Sequence, residues 1–591
     1  MAGADVKGTV VDLGSTMVRV SAARGAGRQL IVAQGPSGFV RLCQTPEFLK
    51  KHWRTATMPH GKPINSHRFI SIPSFFGFFL FAAKPQRDFA AGDPVPRAGH
   101  RRCGRLNVLE HLAGNFWAGR RLNGFIMKRI LTFGFVFGVS TLLMAAEVKV
   151  SSLAELQAAV DGAVPGARIV VANGVYAATN AIRVTCRGTA KQPVVIAAET
   201  QGGVELGGAK GFAVAEPAAY VVIQGFKFTH GMGIEASGGG EWVGPGASHC
   251  RFTRNVFEMP GSGRGYYLMI SGDDTEVDHN SFQNKFSVGQ MIIVHGPGTD
   301  AMAQRVWIHQ NIFTNFPDTK QNNCSAIQIG VSGRSLSPAH ALVESNLFVR
   351  CRGENENICN KSCDNVYRYN TFAENCSELS LRHGDRNVVY GNFFLGTDGL
   401  RMFGKNDRIF SNYFQDCSRG IHIGNGDGVV PKDKLTSHDR PDGMEIVYNT
   451  LVDCKEGVVM LRRQNGLGAT NITFADNLIT GPGRLVAING PVTHAVWRGN
   501  ILWGDTNGIS GEMAKGFAVV DPQLKADAQG EFHLAAGSPA IGKGDGVFAY
   551  VTVDVDGRAR GRKYDVGAEQ FAASPVAGRI LKPADVGPWA R

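Results

Sequence analysis

From residue 225 onward, apolar and polar positions recur with one signature, Asn-x-apolar, most often Asn-x-Phe. It occurs at Asn255-Val256-Phe257, Asn280-Ser281-Phe282, Asn311-Ile312-Phe313, Asn346-Leu347-Phe348, Asn370-Thr371-Phe372, Asn392-Phe393-Phe394 and Asn412-Tyr413-Phe414. Asn449-Thr450-Leu451, Asn477-Leu478-Ile479 and Asn500-Ile501-Leu502 continue it. The intervals run from 20 to 37 residues, the spacing of solenoid coils with insertions at some turns. Each Asn is expected to adopt the left-handed conformation at a corner and to stack its amide on the next coil's Asn. The apolar residue two places on is expected to point inward. The pattern predicts an all-β fold, a right-handed single-stranded parallel β-helix.

A solenoid needs its open end covered. Ser152 with Glu155 three residues later reads as a helix N-terminus, predicting a short amphipathic capping helix that ends near Gly162. Short strands are expected after it at 167–172 and 194–198. Four cysteines keep the repeat's register: Cys351, Cys417 and Cys454 follow their Asn by five residues and Cys376 by six. Stacked interior thiols account for them, since the C-x-x-C pairs of zinc proteins are absent. Cys359 and Cys363 fall outside this reading.

Composition supports the same class, with 75 Gly and 19% charged residues suiting many tight turns better than long surface helices. The formal net charge of +12 would suggest a nucleic-acid partner, but its distribution excludes one. Residues 1–126 hold 18 Lys and Arg against 6 Asp and Glu, so residues 127–591 carry 44 of each. Met127-Lys128-Arg129, the apolar run Ile130–Met144 and the pair Ala145-Ala146 form the tripartite pattern of a secretory signal peptide. The expected organisation is therefore a non-native, disordered upstream extension at 1–126, a signal peptide at 127–146 and one β-helix domain at 147–591. A secreted or periplasmic location follows, without a stable membrane span, because the apolar run is short for one. Nine cysteines remain after the signal, so at least one thiol is unpaired in a monomer.

The densest run of unusual residues spans 351–362. Glu354 and Glu356 are two apart, so on a strand they share one face, where like charges repel unless a cation lies between them. Hard carboxylate oxygens suit calcium. Counted from the preceding ladder Asn, Asn322 lies 11 residues on, Glu354 and Glu356 lie 8 and 10, Lys361 15, Arg382 12 and Arg401 9. Arg419 and His422 lie 7 and 10 residues after Asn412. Similar offsets mean one face of the solenoid, so these polar side chains are expected to line one groove.

The strings Asn360-Lys361-Ser362-Cys363-Asp364-Asn365-Val366-Tyr367-Arg368, Leu381-Arg382-His383-Gly384-Asp385-Arg386 and Gly391-Asn392-Phe393-Phe394-Leu395-Gly396 resemble polysaccharide lyase family six. That family contains alginate lyases and the dermatan-cleaving chondroitinase B, all parallel β-helices. The resemblance implies a calcium ion held by Asn322, Glu354 and Glu356, with Asn323 adjacent to the first. It implies Lys361 as catalytic base and Arg382 as its partner across the scissile bond. His383, Arg401, Arg419 and His422 become candidate substrate contacts. Lys405 and Asp407 depart from the alginate-lyase pattern, which leaves specificity at that end of the groove open.

The implied reaction is β-elimination on an acidic, uronate-containing polysaccharide, with alginate the first candidate substrate and dermatan sulfate the alternative. A non-catalytic, calcium-dependent glycan-binding β-helix is the rival from another class. Binding alone requires no base, so Lys361 and Arg382 argue against it. Oligomeric state and endo- versus exo-action are not encoded in these patterns.

Overall fold

A computed structural model describes residues 8–12, 17–25, 28–34, 40–42 and 147–591, except 232–239, 260–263, 434 and 574–578. Two compact units divide the chain, Met1–Phe125 and Ile126–Arg591. In the first, strands Gly8–Asp12, Met17–Gly25, Arg28–Gln34 and Val40–Leu42 pair consecutively as an antiparallel sheet. The segment 127–146, read as a signal peptide, lies outside the described residues.

The second unit is a parallel β-helix. Its first sheet holds fourteen strands, from Gly174–Ala178 to Phe517–Val519. The second holds twelve, from Ile182–Val184 to Arg484–Ile488, and the third fourteen, from Glu147–Val150 to Val496–Arg498. The chain visits third, first and second sheet in turn, as Glu276–Asp278, Ser281–Gln283 and Ile292–Val294 illustrate, then pairs in parallel with the next coil.

The Asn-x-Phe repeat builds two columns. Each ladder Asn from 280 to 500 accepts, through Oδ1, the backbone N–H of the Asn one coil earlier at 2.8–3.1 Å. The amide that would otherwise be buried unpaired is thus satisfied by its neighbours. Two positions on, Phe257, Phe282, Phe313, Phe348, Phe372, Phe394 and Phe414 stack nearly parallel, ring centroids 4.4–4.9 Å apart, matching the strand spacing.

One detail differs from expectation. The left-handed residue is not the Asn but the one before it, for example His279 (φ 50), Gln310 (φ 52), Ser345 (φ 53), Tyr369 (φ 56) and Gly391 (φ 65). An Asn whose amide must lie inside the column begins the strand in extended backbone, so the corner is turned one residue earlier.

The capping helix spans Leu153–Asp161 and buries Leu156 and Val160 in the end of the core. The Glu155 N–H donates to Ser152 Oγ at 3.2 Å, while the Glu155 carboxylate reaches back to the Ser151 N–H at 2.7 Å. The strands expected behind it are Arg168–Val171 and Val194–Ala198. Cys351, Cys376, Cys417 and Cys454 are buried, and all nine cysteines of the described unit are free thiols. At the other end, the chain after the last coil runs back over the first sheet. Ala568 N–H donates to Thr450 Oγ1, Leu581 N–H to Thr371 Oγ1 and Gly587 N–H to the Gln310 carbonyl. No described helix is long and apolar enough to cross a membrane.

Candidate active site

The second sheet carries the candidate residues on its outer face. Its inner face is the apolar column Ile327, Ile358, Leu379, Leu400 and Ile421, all fully buried. Alternation therefore turns the neighbouring column outward, where Gln328, Cys359, Ser380, Arg401 and His422 stand in register. Between strands Glu356–Lys361 and Glu378–His383 the register breaks twice. Asn357 is the extra residue at one break and Arg382 at the other. Such bulges re-aim side chains, and this one sets Arg382 beside Lys361, whose own partner in register is His383. Gly384, at φ 95, ends that strand where a Cβ would lie 2.0 Å from the Ser362 carbonyl oxygen.

Glu356 is the hub. Buried within the face, its Oε1 accepts Arg382 Nη1 at 3.0 Å and also pairs with Arg401 Nη2 from the following coil. Burial raises a carboxyl pKa, but the Arg401 and Arg382 guanidiniums overcome it and hold Glu356 down at about 2. Arg401 Nη1 pairs at 2.9 Å with Glu378 Oε1, and its Nε and Nη2 donate to Ser380 Oγ at 3.1 and 3.0 Å. Glu378 is buried, and its Oε2 lies 3.8 Å from His422 Nδ1.

Sequence reasoning missed Glu378, although its signal was present. It follows Asn370 by eight residues, the offset of Glu354 from Asn346, and it pairs in register with Glu356.

Glu354 does not lie on the strand but in the turn before it. Its Oε1 accepts Cys324 N–H and Ser325 Oγ–H, each at 2.8 Å, and its Oε2 accepts Asn323 N–H at 3.1 Å. Its pKa is raised, first by burial and then by the negative charge of Glu356. Asn322 sits exposed in the corresponding turn of the preceding coil, its carbonyl accepting the Cys324 thiol. The donor set of Glu354, Glu356 and the Asn322 amide is all oxygen, and the mutual repulsion of the carboxylates is what a hard divalent cation would relieve. By chemistry such an oxygen-only set suits a hard divalent cation. Two other acid and histidine groups among the described residues could hold a metal, Glu276 with Asp278 and His309, and Asp527 with Glu531 and His533. Neither lies in this face. In the former, Arg251, Thr253 and His279 already occupy Asp278.

Lys361 Nζ, half-buried, has no hydrogen-bond or ion-pair partner among the described residues. His383 is buried, and burial followed by the charge of Arg382 lowers its pKa to about 3, so it is a neutral imidazole. Its ring lies 6.1 Å from that of His438, which comes from the segment inserted between Ile423 and Glu445 and packs on Phe403. Arg419 stands one coil beyond Arg401, its Nε 3.5 Å from Glu456 Oε2 and away from the Glu356 hub.

Lys405 and Asp407 do not line the groove as expected. Asp407 is fully buried and ends a second ladder, accepting Asn387 N–H at 2.7 Å as Asn387 accepts Asn365 N–H. Lys405 pairs with Asp439 at 3.0 Å and anchors the insertion.

Known proteins resemble the chain in sequence family and in fold. The family model described as chondroitinase B matches residues 150–478. Among solved structures, the family 6 alginate lyase AlyGC is 26% identical with a TM-score of 0.58, over 66% of this chain and 55% of that one. The chain thus spans little more than half the length of AlyGC. A mannuronic acid-specific family 6 lyase from human gut microbiota is 26% identical with a TM-score of 0.57, over 64% of this chain and 91% of that one. A family 6 alginate lyase in complex with a trisaccharide shares the fold at 22% identity and a TM-score of 0.54, over 66% and 91%. No curated protein is similar enough in sequence to match the chain.

Proposed function

The chain belongs to the chondroitinase B family, within the polysaccharide lyases of family six, and from that premise we propose that it cleaves alginate by β-elimination. The observation that carries the reading is Lys361. A lysine without an ion-pair partner stands on the outer face beside the bulged Arg382, with the Glu356 hub behind them. A binding face has no use for a free amine held this way, whereas elimination requires a base.

Lys361 in its neutral form takes the proton from C5 of the uronate bound across the face. The C5–H electron pair forms the C4–C5 double bond, and the bond from C4 to the glycosidic oxygen breaks. That oxygen leaves with a proton from water or a neighbouring donor, and the product keeps a 4,5-unsaturated ring. Arg382 and Arg401, fixed by Glu356 and Glu378, present cationic groups to the substrate carboxylate and hold it against Lys361. Neutral His383 supports the strand end from which Arg382 projects. Calcium held by Asn322, Glu354 and Glu356 would neutralise the uronate carboxylate, whose charge otherwise opposes loss of the C5 proton.

Similarity to the mannuronic acid-specific lyase favours mannuronate-containing blocks. The match to the chondroitinase B model supports dermatan sulfate as the second reading. We further propose that the domain acts outside the cytoplasm, on the strength of residues 127–146. Incubation of the chain with alginate, dermatan sulfate and pectate, each with and without chelator, tests the substrate. Chelator-sensitive ultraviolet absorbance of the unsaturated product is expected first with alginate. Product from dermatan sulfate alone would select the second reading, and none from any polymer would remove the lyase.

A further inference from the structure

The longest interval in the Asn repeat, 37 residues between Asn412 and Asn449, opens one coil into a loop beside the groove. After Ile423 the chain leaves the second sheet, and it joins the third only at Glu445–Val447. The loop holds one residue with particular care. The His438 N–H donates to Asp427 Oδ1 at 2.7 Å, and the His438 carbonyl accepts the Asp427 N–H at 2.9 Å. Asp439 next to it is buried, accepts the Val430 N–H at 3.0 Å and pairs with Lys405 at 3.0 Å.

The His438 ring is fixed as firmly as its backbone. Arg463, from the loop after strand Glu456–Met460, donates through Nη2 to His438 Nδ1 at 3.0 Å and is itself held by Asp427 Oδ2 at 3.0 Å. The ring packs on Phe403, centroids 4.7 Å apart, and Phe403 occupies a place that only a glycine leaves open: a Cβ on Gly424 would stand 2.3 Å from Phe403 Cδ1. A guanidinium can only donate, so Nδ1 is the bare nitrogen of a neutral imidazole and the proton sits on Nε2.

This ring stands at the catalytic end of the groove. It lies 6.1 Å from the ring of His383, which pairs in register with Lys361. The Phe403 ring beneath it is 5.7 Å from the Arg401 guanidinium carbon. Burial, then the charges of Arg382, Arg463 and Arg401, lower the His438 pKa to about 4, which keeps the ring uncharged. Its Nε2–H has no hydrogen-bond partner among the described residues, and with 18% of the side chain exposed a ligand can reach it. The Nε2 of His383 is likewise without a partner, and it is buried. Two imidazoles side by side, each with an edge nitrogen that no described residue satisfies, mark a place where a ligand's oxygens are wanted.

We propose that His438 is a substrate-binding residue, its Nε2–H donating to a hydroxyl or ring oxygen of the sugar next to the one that loses its proton. Arg463 is the positioning residue that fixes the tautomer. A neutral donor suits an uncharged oxygen, whereas Arg382 and Arg401 already meet the carboxylate. The contact rests on the lyase reading of the groove and deepens it, because it makes the Asn412–Asn449 insertion a wall that grips the polymer.

The test measures binding without turnover, on the full chain carrying Lys361→Ala. Titration calorimetry in calcium chloride uses a mannuronate tetrasaccharide and a dermatan sulfate tetrasaccharide as probes. Adding His438→Phe keeps a ring on Phe403 and removes the N–H. The Kd for the tetrasaccharide that the parent binds is expected to rise about fivefold at an unchanged unfolding midpoint. His438→Gln, whose amide can donate, should recover part of the loss. Arg463→Leu should weaken binding similarly and Arg463→Lys less, and Arg463→Leu added to His438→Phe should cost nothing more. An unchanged Kd in folded His438→Phe would overturn the contact alone, with product release by the intact chain still supporting the lyase. Additive losses would overturn the role of Arg463. A parent that binds neither probe would overturn the contact together with the polysaccharide site.

Discussion

Arg382 Nη1 meets Glu356 Oε1 at 3.0 Å across the gap between two successive coils, at the point where the second strand carries one residue too many. The bulge and the ion pair are one device. The extra residue swings Arg382 out of the regular alternation, and the buried carboxylate catches it beside Lys361. Arg401, one coil further, reaches the same oxygen and ties three coils together.

Glu356→Gln is expected to release Arg382 and to leave Arg401 with Glu378 as its one carboxylate, so that two half-buried cations have one counter-ion fewer. Breaking a buried pair from one side costs about 3 kcal/mol or more, so the denaturation midpoint should fall. Turnover should fall by at least about a hundredfold, because the same residue positions Arg382 and Arg401. Denaturant titration and product absorbance measure the two effects. A variant with native stability would show that the pairing contributes nothing to the face.

Glu378→Gln separates positioning from charge delivery. Arg401 keeps its contacts with Glu356 and Ser380 but loses the carboxylate opposite, so kcat/KM should drop about tenfold while the midpoint moves little. Arg401→Ala in the Glu378→Gln background should then cost less than Arg401→Ala alone. Additive losses would place Glu378 outside the Arg401 network.

Asn392→Ala tests the column. Its amide donates to the carbonyls of Tyr367 and Tyr390 and to Asn412 Oδ1, while its Oδ1 accepts Asn370 N–H. Removing these from a fully buried site leaves several groups unpaired, at about 3 kcal/mol in total. The expected result is a marked fall in midpoint with unchanged turnover per folded molecule. Lost turnover at native stability would mean that the ladder serves the site directly.

Asp476 predicts a pH dependence remote from the groove. It is fully buried before ladder residue Asn477, and burial, then the charge of Asp545, raises its pKa to about 7. An unfolded aspartate titrates near 3.9, roughly, so the folded state holds the proton more tightly. The associated stability is complete below about pH 4 and is lost as pH rises through about 7. Asp476→Asn should remove this slope, so that the stabilities of parent and variant diverge between about pH 4 and pH 7, on the order of a few kcal/mol. Parallel curves would contradict the assignment.

The repeat made the solenoid legible because one rule, an amide stacked on an amide with an aromatic two places on, recurs at ten positions. The offset from each Asn likewise placed Glu356, Lys361, Arg382 and Arg401 on one face. What offsets could not show was local. Asn357 and Arg382 are bulge residues, and a single added residue leaves no trace in a 20-residue period. Asp407 looked like a groove residue by sequence neighbourhood, yet a second, shorter ladder claims it. The returning C-terminal segment has no period at all, and its contacts join residues more than a hundred positions apart.

The central claim is that Lys361 is the base of an elimination. Ultraviolet absorbance during incubation with alginate, comparing the intact chain with Lys361→Ala, tests it most directly. The intact chain should generate unsaturated product, and the folded variant should fall by at least about a thousandfold while calcium uptake by titration calorimetry is unchanged. A folded Lys361→Ala variant that still releases product at the parent rate would contradict the account.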